Sequence, residues 1–173
     1  MHTLTKKKIT SISLGLFAFV LNMFGQAPSN NEKFKNVVLI LSDDHRFDFL
    51  GFHEDSPDFL ETPSFDRMSQ KGAHMANAFV TTSLCSPSRA TILTGQYMHR
   101  HKVVDNQRGV PKKTRFFPEY LQGSGILTAY IGKWHMGHDN DTPRKGFDHW
   151  ASFKGQGVYF NPEFNINGNK KKF

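Results

Sequence analysis

ANAFVTTSLCSPSRATILTG, residues 76–95, changes character in its middle. Ala76–Thr82 is rich in β-formers, Pro87 stands where a helix starts, and Gly95 stands where one stops. The stretch therefore reads as a strand feeding a helix that runs to about Leu93, and it places Cys85 at the helix N-terminus.

The same alternation recurs on either side. Upstream, Asn36–Ser42 holds the unbroken run Val37, Val38, Leu39, Ile40 and Leu41. A run of that kind predicts a strand buried on both faces, as in a parallel sheet, and it ends abruptly at Asp43 and Asp44. Thr62, Pro63 and Gly72 bracket Phe65 and Met68 with an N-cap, a first-turn proline and a terminal glycine, which predicts a short surface helix. Downstream, Pro118–Leu121 with Gly123 repeats that signature, and Gly125–Gly132 reads as a second inner strand leading into Lys133, Trp134 and His135. Beyond Gly137 the composition turns to Asn, Gly, Asp, Pro and aromatics, so the tail is expected to be loop-rich with at most short strands. There is no internal repeat and no low-complexity tract. Strands alternating with helices imply an α/β fold, a central mostly parallel sheet flanked by helices. In such sheets ligands bind beyond the carboxyl ends of the strands, so the three polar clusters are expected to converge on one edge.

With 173 residues, 38% of them hydrophobic and 13% aromatic, the chain can bury the core of one ordinary domain. Residues 1–27 read as a secretory signal peptide: a basic start at Lys6, Lys7 and Lys8, the apolar run Ile9–Phe24, then the small residues Gly25 and Ala27. The run is short for a membrane span and is interrupted by Thr10, Ser11, Ser13 and Asn22, so no stable membrane insertion is expected. Residues 28–173 would be the secreted or periplasmic product, beginning with a polar stretch to residue 35. The formal charge of +7 less the three leader lysines leaves +4. Those cations are spread along the chain, which suits a small anionic substrate and argues against nucleic acid. One cysteine cannot form an internal disulfide, so Cys85 is either a small buried hydrophobe or a reactive group.

Adjacent carboxylates at Asp43 and Asp44 repel unless a cation neutralises them, and hard divalent ions favour such oxygen ligands. An isolated Asp-Asp pair is more often a solvated turn, so it gains meaning only from its company. Arg89 follows Cys85 by one helical turn, which lets its guanidinium lie beside the Cys85 side chain. The helix N-terminus adds N–H donors and a positive dipole end, a setting for an anion. Lys133 and His135, directly after a strand, form the third cluster. His99 and His101 read as a solvated loop, and His45 stays unassigned beside the acids.

Cys85, Ser86, Pro87, Ser88 and Arg89, followed by Ile92, Leu93, Thr94 and Gly95, resemble the signature of the sulfatase family over Ser83–Gly95. Gly125, Thr128, Gly132, Lys133, Trp134 and His135 are similar to its second signature, with Ile126 where Tyr or Val is usual. The resemblance implies an alkaline-phosphatase-like α/β fold and hydrolysis of sulfate esters. It implies that a formylglycine-generating maturation enzyme oxidises Cys85 to formylglycine, whose hydrate becomes the nucleophile. It also implies that Asp43, Asp44 and the modified Cys85 bind a metal, Ca²⁺ with Mg²⁺ as the alternative. Arg89 and Lys133 would hold the nucleophile and sulfate, and His135 would serve the nucleophile's hydroxyl. A metal ion and two cations clamp the sulfate charge while one hydroxyl of the hydrate attacks sulfur and the other later expels sulfate.

Phe79–Asn106, ending in HRHKVVDN, resembles the N-acetylglucosamine-6-sulfatase branch, as do Gly146, Phe147, Asp148, Trp150, Tyr159, Asn161 and Ile166–Gly168. That resemblance implies a sulfated glycan substrate. Family members are longer, so residues 28–173 are expected to be the N-terminal part of the catalytic domain, lacking a second Asp/Asn pair, a further histidine and another lysine. The alternatives are a phosphate or phosphonate ester hydrolase of the same superfamily and an inactive glycan-binding fragment.

Overall fold

The structure is a computed structural model that describes residues 36–137 and 140–173. The chain separates into two compact units, Met1–Ser42 and Asp43–Phe173. The expected signal peptide lies outside the described residues. In the first unit, residues 36–42 form neither strand nor helix, and Val37 and Ile40 are 89% and 83% exposed. This corrects the expected doubly buried strand over Asn36–Ser42. Burial on two faces requires paired neighbours and covering layers, and a hydrophobic run does not bring these with it.

In the second unit the elements run α1 (Pro63–Lys71), α2 (Cys85–Thr94), α3 (Met98–His101), α4 (Phe117–Gly123), β1 (Ala129–Lys133), β2 (His149–Phe153), β3 (Glu163–Ile166) and β4 (Asn169–Lys172). Helix α1 is the expected surface helix, with Pro63 at its start and no buried residue. The Thr62 hydroxyl accepts the Gly51 N–H at 2.6 Å and donates to Asp66 at 2.9 Å, so it joins the preceding loop to the helix. Helix α2 begins at Cys85, two residues before the proline that marks it. Pro87 is tolerated there because N–H groups in the first turn have no intrahelical acceptor. The helix ends on Gly95 at φ 65°, in the left-handed region, with its N–H returned to the Thr91 carbonyl. Ala76–Thr82, expected as the strand feeding this helix, contains no strand, and Phe79 is 88% exposed. The β-propensity there lacks a partner edge to act on.

The four strands make one sheet in the order β1-β2-β3-β4. Strands β1 and β2 are parallel, with Ala129 opposite His149 and Lys133 opposite Phe153, whereas β2–β3 and β3–β4 are antiparallel. The α/β class expected from the sequence is present, and the sheet in the described residues is mixed. Strand β1 lies four residues later than its expected start and pairs with β2 alone among the described residues. It is thus an edge strand instead of an inner one, and Ile131 is exposed. The tail supplies three of the four strands, each short. At the entry to β1 the Asp148 carboxylate accepts the Thr128 N–H at 2.8 Å and the Thr128 hydroxyl donates to the Gly146 carbonyl, which brings β1 beside β2. Gly146 takes φ 93°, and a Cβ there would meet the Glu119 nitrogen of α4 at 2.7 Å, so this close approach requires glycine.

The core is built from Ala90 and Leu93 of α2, Val103, Phe116, Trp134, Met136 and Trp150, with Val110, Tyr130 and Phe147 packed against it. Tyr130 stacks on Trp150 at 4.9 Å, while Trp134 meets Phe116, Tyr130 and Trp150 at 5.2, 5.3 and 5.2 Å between ring centroids. Aromatic clustering of this kind contributes beyond area burial, by about 1 kcal/mol per pair. Because α2 and β1 both enter this cluster, the core fixes Cys85 and Lys133 relative to each other.

Candidate active site

Cys85, at the first position of α2, projects toward Asp43 and Lys133. Its Sγ lies 3.8 Å from Asp43 Oδ1 and 3.5 Å from Lys133 Nζ. Lys133 Nζ donates to Asp43 Oδ2 at 2.5 Å, and a terminal nitrogen of Arg89 approaches Asp43 Oδ1 at 3.6 Å. Both oxygens of Asp43 therefore face cations. These contacts hold its carboxyl below the ordinary value of 3.8: the Lys133 hydrogen bond acts most strongly, burial opposes it, and the charges of Lys133 and Arg89 add to it.

Arg89 is buried, and its other terminal nitrogen donates to the Lys133 carbonyl at 2.8 Å. The same carbonyl accepts the Tyr130 hydroxyl. Burial raises the Tyr130 pKa, which keeps that hydroxyl a donor. The backbone departs from ordinary strand geometry at both sides of Lys133: Gly132, within β1, takes φ 114° and His135, just beyond it, takes φ 54°. Lys133 can then face Asp43 while Trp134 turns into the core.

Ser86 locks the start of α2 from two sides. Its N–H donates to Asn106 Oδ1 at 3.0 Å, and its fully buried hydroxyl donates to the His135 carbonyl. Leu84, the N-cap residue, provides no side-chain cap, so Asn106 supplies from twenty positions away what a local Ser or Asp normally supplies. No signal in the sequence assigns Ser86, Asn106 or Tyr130 an individual role. Asn106 stands in a stretch singled out for resemblance, yet no local spacing marks it as a cap.

Of the residues expected at the site, Asp43, Asp44, Cys85, Arg89 and Lys133 come together. His135 joins through its backbone carbonyl, with its side chain buried. His99 is exposed and stacks beside Tyr97, but it lies in α3 and not in the expected loop. His101 is not solvated: it is 1% exposed, with Nδ1 accepting the Val103 N–H and Nε2 facing the Thr91 hydroxyl, each at 3.1 Å. Its position on the inner side of the short α3 turns it against α2. His45 contacts the Phe49 carbonyl at 2.8 Å and has no part in the cluster.

Asp43, Asp44 and Cys85 each offer one donor atom, all within 4.8 Å of one another. Two carboxylates suit a hard divalent cation, whereas a thiol sulfur beside them does not. Replacing that sulfur by the oxygens of an aldehyde hydrate would give the donor set one character. The residues therefore fit such an ion in combination with a modified Cys85.

The family model named Sulfatase matches residues 35–169, and the chain belongs to the sulfatase family. It is 31% identical over 165 residues to an N-acetylglucosamine-6-O-sulfatase of Bacteroides thetaiotaomicron, a match covering 94% of this chain and 28% of that protein. A Sulf-1 homologue of Caenorhabditis elegans, named as an extracellular sulfatase, is 37% identical over 145 residues, covering 80% of this chain and 20% of that protein. Among solved structures, a protein in complex with its substrate D-glucosamine-2-N,6-O-disulfate superposes with a TM-score of 0.61 at 35% identity, over 67% of this chain and 23% of that one. The chain thus spans less than a third of the length of these relatives.

Proposed function

We propose that this chain carries the nucleophile-bearing part of a glycan sulfatase that hydrolyses the 6-O-sulfate of N-acetylglucosamine. The observation that carries the reading is the meeting of Asp43 and Lys133, remote from each other in sequence, with Cys85 and Arg89 of α2 at one helix N-terminus. The named activity of the Bacteroides relative and the disulfated glucosamine bound by the solved neighbour support the choice of sugar and position. A secreted or periplasmic location accords with the leader expected in residues 1–27 and with an extracellular relative.

Asp43 and Asp44, with the oxygens of a modified Cys85, would hold Ca²⁺ or Mg²⁺, and that ion would supply positive charge to the sulfate oxygens. Formylglycine, made from Cys85 by a maturation enzyme, would add one water to become a hydrate with two hydroxyls on one carbon, one to attack sulfur with loss of the alcohol and one to expel sulfate and restore the aldehyde. Arg89 is oriented by its bond to the Lys133 carbonyl, and its other terminal nitrogen, beside Asp43 Oδ1, would contribute positive charge to the sulfate. The Lys133 ammonium lies 3.5 Å from the Cys85 side-chain heteroatom and can donate an N–H to a negative charge developing there. His135 is assigned to the nucleophile's hydroxyl, as hydrogen-bond partner or base. The Ser86 and Asn106 bonds hold the helix start still, so the reacting group is placed before substrate arrives.

The test is mass spectrometry of the peptide spanning Cys85 after co-expression with a formylglycine-generating enzyme. The expected mass is that of –CH₂SH converted to –CHO, and an unconverted thiol under those conditions would overturn the reading. Rates on a sulfate and a phosphate ester, measured with the full-length context supplied, should favour sulfate.

A further inference from the structure

We propose that Lys133 is a placeholder cation at the metal site, paired with Asp43 until a divalent ion displaces it and frees its ammonium group for the sulfate. The proposal rests on the assignment of Asp43 and Asp44 as metal ligands. Three observations carry it. First, Lys133 Nζ sits 2.5 Å from Asp43 Oδ2 and 3.5 Å from Cys85 Sγ, so it bridges two of the three donor residues that a metal would use. Second, the Lys133 side chain is 9% exposed whereas Asp43 is 43% exposed, so the ammonium is held from the protein side while the carboxylate stays open to solvent. Third, Arg89 is fastened to the Lys133 carbonyl and approaches only the other oxygen of Asp43, which leaves Lys133 as the direct competitor for Oδ2.

Adjacent carboxylates without a cation are costly, and the Lys133 ammonium neutralises Asp43 with no ion recruited. Once a divalent ion binds, a lysine at the same oxygen is repelled by like charge. Its long stem lets Nζ swing a few ångströms while its backbone stays fixed by Arg89 and Tyr130. Sulfate recognition by Lys133 then follows metal entry, and the lysine passes from an internal anion to the substrate's anion.

Removal of the competitor should tighten metal binding. Calorimetry with Ca²⁺ alone on the full chain, its Cys85 converted by co-expression with the maturation enzyme and the conversion checked by mass, should give about fivefold tighter binding for Lys133→Met than for wild type, on the scale of a partly exposed ion pair. Lys133→Arg, which keeps a cation, should stay within about twofold of wild type, and Asp43→Asn should lose binding. Far-UV circular dichroism checks that each variant is folded. A second measurement needs no variant: the Lys133 Nζ resonance of the wild-type chain should shift on addition of Ca²⁺. Equal or weaker binding by folded Lys133→Met, with Asp43→Asn still deficient, would overturn the placeholder role and leave the metal assignment standing. Should Lys133→Met fail to fold, an unmoved Nζ resonance at saturating Ca²⁺ would overturn it in the same way. Binding unchanged in Asp43→Asn, or no binding in any form, would overturn the metal assignment and this proposal with it.

Discussion

The imidazole of His101 shows how one side chain can be misjudged from its neighbours and still be predictable in its chemistry. Because Nδ1 accepts the Val103 N–H, the ring proton resides on Nε2 and donates to the Thr91 hydroxyl, the neutral form of the ring. Burial, with a smaller contribution from the nearby His99, lowers its pKa from 6.5. A depressed pKa means that the unfolded chain takes up the proton first. The stability held by the neutral ring is therefore complete above pH 6.5 and drains away as pH falls toward the lower folded value. We expect the stability deficit of His101→Gln relative to wild type, read from urea midpoints, to shrink between about pH 7 and about pH 5. A deficit independent of pH would show that this ring does not titrate with folding. At the same scale, Cys85, Arg89 and Lys133 were legible from residue type and spacing, whereas Ser86, Tyr130 and Asn106 were not. Their importance lies in which backbone group each one meets, and those groups are remote in the chain.

Helix α2 is the element on which the site depends, and its start is its weak point. Four N–H groups at a helix N-terminus lack intrahelical acceptors, and here Asn106 takes one of them. Asn106→Ala should cost about 1 kcal/mol in urea unfolding, the usual value of a lost cap, while Asn106→Asp should retain the stability because a carboxylate oxygen accepts the same N–H and favours the dipole. A neutral outcome for Asn106→Ala would mean that water replaces the cap. The helix limits were readable because proline and glycine act locally. The strands were readable only in part. Gly125–Gly132 did contain β1, but Asn36–Ser42 and Ala76–Thr82 did not form strands, since a strand is completed by its neighbour.

Across the whole second unit, the aromatic cluster joins the cysteine helix to the sheet. Trp134 is fully buried between two site residues, Lys133 and His135, so the site and the core share a backbone segment. Trp134→Ala should cost about 3–5 kcal/mol, a large part of the stability of a small domain. We expect loss of near-UV circular dichroism and an early urea midpoint, together with faster alkylation of Cys85, which is half-buried in the folded chain. Trp134→Phe should retain most of the ordered state. A cooperative, wild-type-like transition for Trp134→Ala would show that the cluster is not the link between α2 and β1.

What residue order determined by itself was chemistry that acts over a few positions. It placed a cysteine at a helix start with an arginine one turn on, two acids in sequence, a lysine at the end of a strand, and the signatures that mark a sulfatase. Tertiary structure decided the rest. It set which strands found partners, turned His101 inward, made Asn106 a cap, and seated Lys133 on Asp43. The division has one physical cause: helix signals and reactive side chains are local, whereas sheet pairing, burial and ion pairing are relations between distant segments that only packing creates.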